Sequence, residues 1–235
     1  MKYFTISLLA ALAAASPIAV PEASGAEISG AELESLVERQ IFGGSDDELE
    51  KGSSSACPKA ILVFARGSTE TGTLGTLGRP LGDALERKYG AKDVWVQGVG
   101  GPYDATIGGN LLPRGSTPAS IAEMVRLLTM ANTKCPTSKV VAGGYSQGAA
   151  LAAAAVSDST AAVRDQIVGT VLFGYTKNLQ NRGAIPNYPS NKLKVFCNTG
   201  DLVCTGTLTI TVAHLTYGDD ARSAAPQFLI SKIGN

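Results

Sequence analysis

The stretch Val140-Val141-Ala142-Gly143-Gly144-Tyr145-Ser146-Gln147-Gly148-Ala149-Ala150 constrains the fold of this chain more than any other. A β-branched run enters a Gly-x-Ser-x-Gly core, and an alanine-rich, helix-favouring run leaves it. A serine there sits on a cramped strand-to-helix turn, and a glycine two residues to either side leaves room for the backbone. The five-residue pattern alone is common. Its weight comes from the strand before it and the helix after it, which together make one β-to-α unit.

More such units follow along the chain. Ala60 to Ala65 is a continuous apolar run of strand length, suited to a strand covered on both faces. A helix is predicted from Pro80 to Tyr89 and ends at Gly90, and Val94-Trp95-Val96 forms the next strand. A second helix takes Thr117 as its N-cap and closes at Cys135-Pro136, with Ile121, Met124, Val125 and Leu128 on its buried stripe. Ile167 to Phe173 and Leu193 to Cys197 read as further strands. The last helix runs from Pro226 to Ile233 with Phe228, Leu229 and Ile233 inward. This alternation predicts an α/β fold, a mostly parallel central sheet with helices on both faces. Ligands in such folds sit beyond the carboxyl ends of the strands, where the loops Arg66 to Glu70, Ser146-Gln147 and Asn198 to Thr205 emerge. The glycine-rich stretches do not bind nucleotides: Tyr103 stands where a dinucleotide fingerprint needs its third glycine, and no Walker lysine is present.

At 235 residues, 44% apolar and 17% charged, the chain holds one domain with a sizeable core. Twenty basic residues balance twenty acidic ones, so neither nucleic acid nor an anionic membrane surface is an expected partner. Lys2, the apolar run Ile6 to Ala15 and the small residues Ala13 to Ser16 read as a signal peptide over residues 1–16. No run is long enough to span a bilayer, and a secreted, extracellular monomer without integral membrane association is expected. Residues 17–55 read as a pro-segment or flexible N-terminal region, with a short amphipathic helix at Ala31 to Phe42 and a processing site at Arg39. The folded domain is set at residues 56–235. In an oxidising compartment the four cysteines form two disulfides, for which three pairings exist.

The chemistry turns on one count. A serine hydroxyl needs a base to take its proton, and the chain has a single histidine, His214. The base is followed by a carboxylate that orients it, and in α/β-hydrolases the order along the chain is serine, acid, histidine. Between Ser146 and His214 the carboxylates are Asp158, Asp165 and Asp201. Asp158 and Asp165 flank the helix after the elbow, where capping or solvation accounts for them. Asp201 lies just past a strand, in a loop bounded by Cys197 and Cys204. Donors for an oxyanion are expected from the backbone N–H of Gln147 and from Ser68, by backbone and hydroxyl, after the first strand. No metal site and no cofactor is expected.

With these residues in hand, the chain from Cys57 to its C-terminus resembles the fungal cutinases. The resemblance rests on Ala65-Arg66-Gly67-Ser68-Thr69-Glu70, Gly144-Tyr145-Ser146-Gln147-Gly148, Gly200-Asp201-Leu202-Val203-Cys204 and Ala213-His214-Leu215-Thr216-Tyr217. It implies a small lidless α/β-hydrolase with catalytic Ser146, Asp201 and His214 and an oxyanion hole at Ser68 and Gln147. It also implies that Asn110 supports Ser68, and that the disulfides are Cys57–Cys135 and Cys197–Cys204. The implied substrates are the esters of cutin, a hydroxy-fatty-acid polyester, and small soluble esters. Leu208, Ile210 and Leu215 near His214, with Ile107 opposite, would form an apolar rim for acyl chains. The rival readings are another secreted esterase of the same fold, such as an acetylxylan esterase or a small lipase, and a non-catalytic surface-binding protein.

Overall fold

A computed structural model describes residues 46–235; the expected signal peptide, the Ala31 to Phe42 helix and the processing site at Arg39 lie outside the described residues. Among the described residues, β1 (Ala60–Ala65), β2 (Val94–Gly98), β3 (Lys139–Tyr145), β4 (Ile167–Phe173) and β5 (Leu193–Phe196) form one sheet. Its order is β2-β1-β3-β4-β5, and every neighbouring pair is parallel. All six residues of β1 are buried. Their side chains alternate: Ile61, Val63 and Ala65 join one core, while Ala60, Leu62 and Phe64 join the other. A run apolar at every position is what a strand with both faces covered requires.

The helices that cover those faces are α1 (Glu48–Lys51), α2 (Gly75–Tyr89), α3 (Pro118–Lys134), α4 (Gln147–Asp158), α5 (Ala161–Gln166), α6 (Gly218–Arg222) and α7 (Ala224–Ile233). Met124, Leu127 and Leu128 of α3 and Ala149 to Val156 of α4 fill the first core; Leu77, Leu81 and Leu85 of α2 and Leu229 of α7 fill the second. α4 is buried from Gln147 to Val156, which explains its alanines: small side chains let a central helix pack on the sheet and on α3 at once. α3 begins as the sequence predicts, with the Thr117 hydroxyl accepting from the Ser120 N–H at 3.1 Å. On α3, Val125 is half-buried rather than part of the interior, and on α7 Phe228 is too.

Two boundaries depart from the prediction. α2 starts at Gly75, not Pro80, because the Glu70 carboxylate reaches across and accepts from the Thr76 N–H at 2.9 Å, anchoring an earlier first turn. The N-terminal boundary also moves. Residues 46–55 were expected to be weakly structured, yet Asp47 bridges antiparallel to Gln97 on edge strand β2, and the Glu48 carboxylate accepts from the Val96 N–H at 2.7 Å. Leu49 is fully buried, and the Lys134 ammonium donates to the carbonyls of Leu49, Glu50 and Gly52 at 2.6, 3.1 and 3.0 Å. The packed domain therefore starts by Asp46. An exposed strand edge gains from such a cover, and one leucine among glycines and serines is too faint a signal to predict it.

Disulfides join Cys57 to Cys135 and Cys197 to Cys204. The first ties the approach to β1 to the end of α3. Among the described residues no helix is long and apolar enough to cross a membrane.

Candidate active site

Ser146 sits between β3 and α4 with φ 55° and ψ −117°, a backbone conformation that non-glycine residues rarely adopt. Its N–H donates to the Phe173 carbonyl at 2.9 Å, which holds the turn to β4. The flanking glycines are steric necessities. A Cβ at Gly144 would fall 2.2 Å from the Gly148 oxygen, and one at Gly148 would fall 2.1 Å from the Ala65 oxygen. The helix can start this close to β1 only because both are bare.

His214 lies on a 3-10 turn, Val212–Leu215, and its Nε2 is 3.0 Å from the Ser146 Oγ. Its Nδ1 is 2.9 Å from Asp201 Oδ2, and both residues are 2% exposed. Against a carboxylate acceptor the proton belongs on Nδ1, which leaves Nε2 to accept from the serine hydroxyl. The two other aspartates do not reach the imidazole. Asp158 forms an ion pair with Arg114 at 2.7 Å, and Asp165 is exposed.

Asp201 is itself held from several directions. Oδ1 accepts from the Val203 N–H at 3.0 Å, and Oδ2 accepts from the Tyr217 hydroxyl at 2.5 Å. The Tyr217 oxygen in turn accepts from the Asn198 N–H at 3.1 Å. Burial, and then the hydrogen bond to Asp201, push the Tyr217 phenol well above the ordinary tyrosine range, so it stays a donor. Tyr145, the residue before the serine, stacks on the imidazole with ring centroids 5.1 Å apart and donates its hydroxyl to the His214 carbonyl at 2.8 Å. Gly174, directly after β4, makes the space: a Cβ there would lie 2.6 Å from His214 Cε1. Local sequence assigns no role to Tyr217, Tyr145, Val203 or Gly174. The one available signal was a glycine at the carboxyl end of a strand, on the face where ligands bind.

Opposite the imidazole, the Asn110 amide donates to the Ser68 Oγ at 2.9 Å and to the Ile107 carbonyl at 3.1 Å. That leaves the Ser68 proton free to point elsewhere. The backbone N–H of Gln147 opens α4 and has no acceptor within the helix. The Gln147 side chain donates to the Thr106 carbonyl at 2.7 Å and so ties the loop carrying Asn110 to the elbow. Arg66 braces the Ser68 loop, donating to the Glu70 carbonyl at 2.9 Å, while the Glu70 carboxylate accepts from the Gly67 N–H at 2.7 Å.

Ser68, Asn110, Tyr145, Ser146 and His214 line a cleft of about 250 Å³ that also takes in Ile107, Leu208, Ile210 and Leu215. Those four apolar side chains are 66%, 43%, 56% and 68% exposed, so they stand as lips rather than core. A larger groove of about 590 Å³ between Leu112 and α3 holds no imidazole to activate a nucleophile, so size alone does not mark the site. The arrangement can pass a proton from a serine to an imidazole and present donors to an oxygen that gains charge. That is the chemistry of acyl transfer.

Fold and cleft together put the chain in the class of α/β-hydrolases, with the strand order 2-1-3-4-5 and the reactive groups at the carboxyl edge of the sheet. A family model described as Cutinase matches residues 56–233. The chain is 56% identical to Cutinase 1 of Fusarium vanettenii over 234 residues, covering 99% of this chain and 97% of that one. It is similar in structure to a Trichoderma reesei cutinase in complex with a phosphonate inhibitor, with TM-score 0.70, 28% identity and 85% of each chain covered. An acetylxylan esterase shares the fold, with TM-score 0.62, 21% identity, and 76% of this chain and 100% of that one covered. This chain belongs to the cutinase family and is a carboxylic ester hydrolase.

Proposed function

We propose that this protein is secreted and, as a monomer, hydrolyses the ester bonds of cutin and of small soluble esters, with Ser146 as nucleophile, His214 as general base and Asp201 as its orienting carboxylate. One observation carries the reading: the only imidazole of the chain stands 3.0 Å from the hydroxyl of a serine on a strained elbow and 2.9 Å from a buried carboxylate. Ser146 attacks the ester carbonyl while His214 Nε2 takes its proton, and the charge that develops on the carbonyl oxygen meets the Gln147 N–H and the Ser68 hydroxyl. His214 then returns the proton to the leaving alcohol, and water cleaves the acyl-enzyme with His214 again as base. His214 begins this sequence with Nε2 unprotonated, as the acceptor of the serine proton. Asn110 keeps the Ser68 hydroxyl turned toward the oxyanion.

An open cleft between exposed apolar lips suits aliphatic acyl chains that arrive on a bulky polymer. Two disulfides fit an oxidising, extracellular setting. The test is hydrolysis of cutin by the wild-type protein beside Ser146→Ala, with an organophosphonate as covalent probe. Wild type releases hydroxy-fatty acids and takes up one phosphonate on Ser146, and the variant does neither. Faster release of acetate from acetylated xylan than of monomers from cutin would move the assignment to an acetylxylan esterase, and an unlabelled Ser146 would favour a binding protein.

A further inference from the structure

Asp201 Oδ2 carries two donors at once. His214 Nδ1 lies 2.9 Å from it and the Tyr217 hydroxyl 2.5 Å from it, while Oδ1 takes the Val203 N–H. An ionised carboxylate oxygen offers about two acceptor sites, so the oxygen that orients the imidazole is full. Both donors come from one short segment: His214 lies on the 3-10 turn Val212–Leu215, and Tyr217 is the residue before α6. The direction of the phenol proton is fixed as well. The Tyr217 oxygen accepts from the Asn198 N–H at 3.1 Å, and a carboxylate only accepts, so the proton points at Oδ2. Burial first, and then Asp201, hold that proton on the phenol. Tyr217 is 1% exposed, and its ring stands edge-on to His214 at 6.3 Å, with Tyr145 and Phe173 at 6.1 and 6.0 Å. Packing accounts for the ring, and a phenylalanine would pack as well. The hydroxyl needs another reason.

We propose that Tyr217 is a positioning residue whose hydroxyl sets how firmly Asp201 holds the imidazolium form of His214. The proposal rests on the Ser146–His214–Asp201 reading of the active site and deepens it. Ester cleavage asks two opposite things of His214. It takes the proton of Ser146 and then, as the ester C–O bond breaks, gives that proton from Nε2 to the leaving oxygen, which departs as an alcohol. A carboxylate with its whole charge on Oδ2 favours the first step and resists the second, because the imidazolium is the form it stabilises. A neutral donor on the same oxygen takes up part of that charge and evens the two steps. Tyr217 is placed to do this and its neighbours are not. The Tyr145 hydroxyl is spent on the His214 carbonyl at 2.8 Å, and the Val203 N–H meets the other carboxylate oxygen. The leaving group therefore reports on the hydroxyl: an alkyl alcohol must be protonated as it leaves, and a nitrophenolate need not be.

The test compares kcat/KM for the ethyl and p-nitrophenyl esters of one short acyl group in wild type, Tyr217→Phe and Tyr188→Phe. That constant isolates acylation, the stage at which the leaving group differs. Tyr188→Phe is the matched control: it removes a buried phenol hydroxyl that donates to the Ile167 carbonyl at 3.1 Å, outside the cleft. Tyr217→Phe is expected to lower the ethyl-to-nitrophenyl ratio of kcat/KM about tenfold, the scale of one hydrogen bond to a charged group, with Tyr188→Phe at the wild-type ratio. Such a ratio does not depend on how much of a variant is folded. The second readout is the proton resonance of His214 Nδ1–H after phosphonate labelling of Ser146, unambiguous in a chain with one histidine. It is expected to move downfield in Tyr217→Phe, as the bond to an unshared Oδ2 strengthens, and to stay in place in Tyr188→Phe. Tyr217→fluorotyrosine, a stronger donor of nearly the same shape, serves where the phenylalanine variant fails to fold, and is expected to move the resonance upfield. An unchanged ratio, an equal loss on both esters or a resonance that stays in place overturns the proposal and leaves the triad standing. A wild-type Ser146 that the phosphonate does not label overturns the triad reading as well.

Discussion

At the scale of single residues, the space around His214 is set by an atom that is missing. Gly174 has φ 52°, and a Cβ on it would lie 2.6 Å from His214 Cε1 and 2.8 Å from Nδ1. Gly174→Ala is expected to push the imidazole off the Ser146–Asp201 line and lower kcat on a soluble ester by about 10²-fold, the usual cost of a misplacement near 1 Å. Titrating Ser146 with a phosphonate in the same variant separates a displaced base from a lost fold, since a folded protein still labels, only more slowly. Ser146, His214 and Asp201 were legible in the sequence because motif, elimination and chain order left few alternatives. Tyr217 and Gly174 were not. Their contacts with Asp201 and His214 run across the molecule, and neither residue type carries a local signal for that.

At the scale of elements, two short segments do more than their length suggests. The ring closed by Cys197–Cys204 carries Asp201, whose carboxylate is fixed by the Val203 N–H inside the ring and by Tyr217 outside it. Closing so small a ring stabilises the fold by about 2.5 kcal/mol in a chain-entropy model, against about 4.5 kcal/mol for the Cys57–Cys135 loop. Mild reduction of the small ring is expected to abolish ester hydrolysis while circular dichroism still reports the folded sheet; parallel loss of both signals would refute this. The second segment is α1. Leu49 is buried in the same core as α3, so Leu49→Ala should cost about 2–5 kcal/mol in denaturant unfolding and leave kcat as it was. The strands were legible to within a residue or two, because runs such as Ala60 to Ala65 are apolar at every position. The starts of α1 and α2 were not, since a strand edge and a distant carboxylate decide them.

At the scale of the whole molecule, burial of tyrosines makes stability depend on alkaline pH. Burial holds the phenols of Tyr103, Tyr145, Tyr188 and Tyr217 well above the ordinary range, and that of Tyr175 above it. The folded state keeps these protons after the unfolded chain, with phenols near pKa 10, has begun to lose them. The unfolded state then binds fewer protons, so stability is fully present below about pH 10 and falls as pH rises toward the folded values. Tm measured from about pH 9 to 12 should drop with a slope that Tyr188→Phe makes shallower. A flat profile would contradict the burial of these groups.

The sequence by itself determined the class of fold and the chemical groups. Strands apolar at every position must be covered on both faces, a glycine-flanked serine between strand and helix must be an elbow, and a chain with one histidine has one candidate base. Only the tertiary structure decided the strand order, the docking of residues 46–55 on the sheet edge and the shell around Asp201. Local sequence encodes what each segment prefers. Which segments meet, and how much space remains between them, is fixed when both faces of the sheet are packed at once.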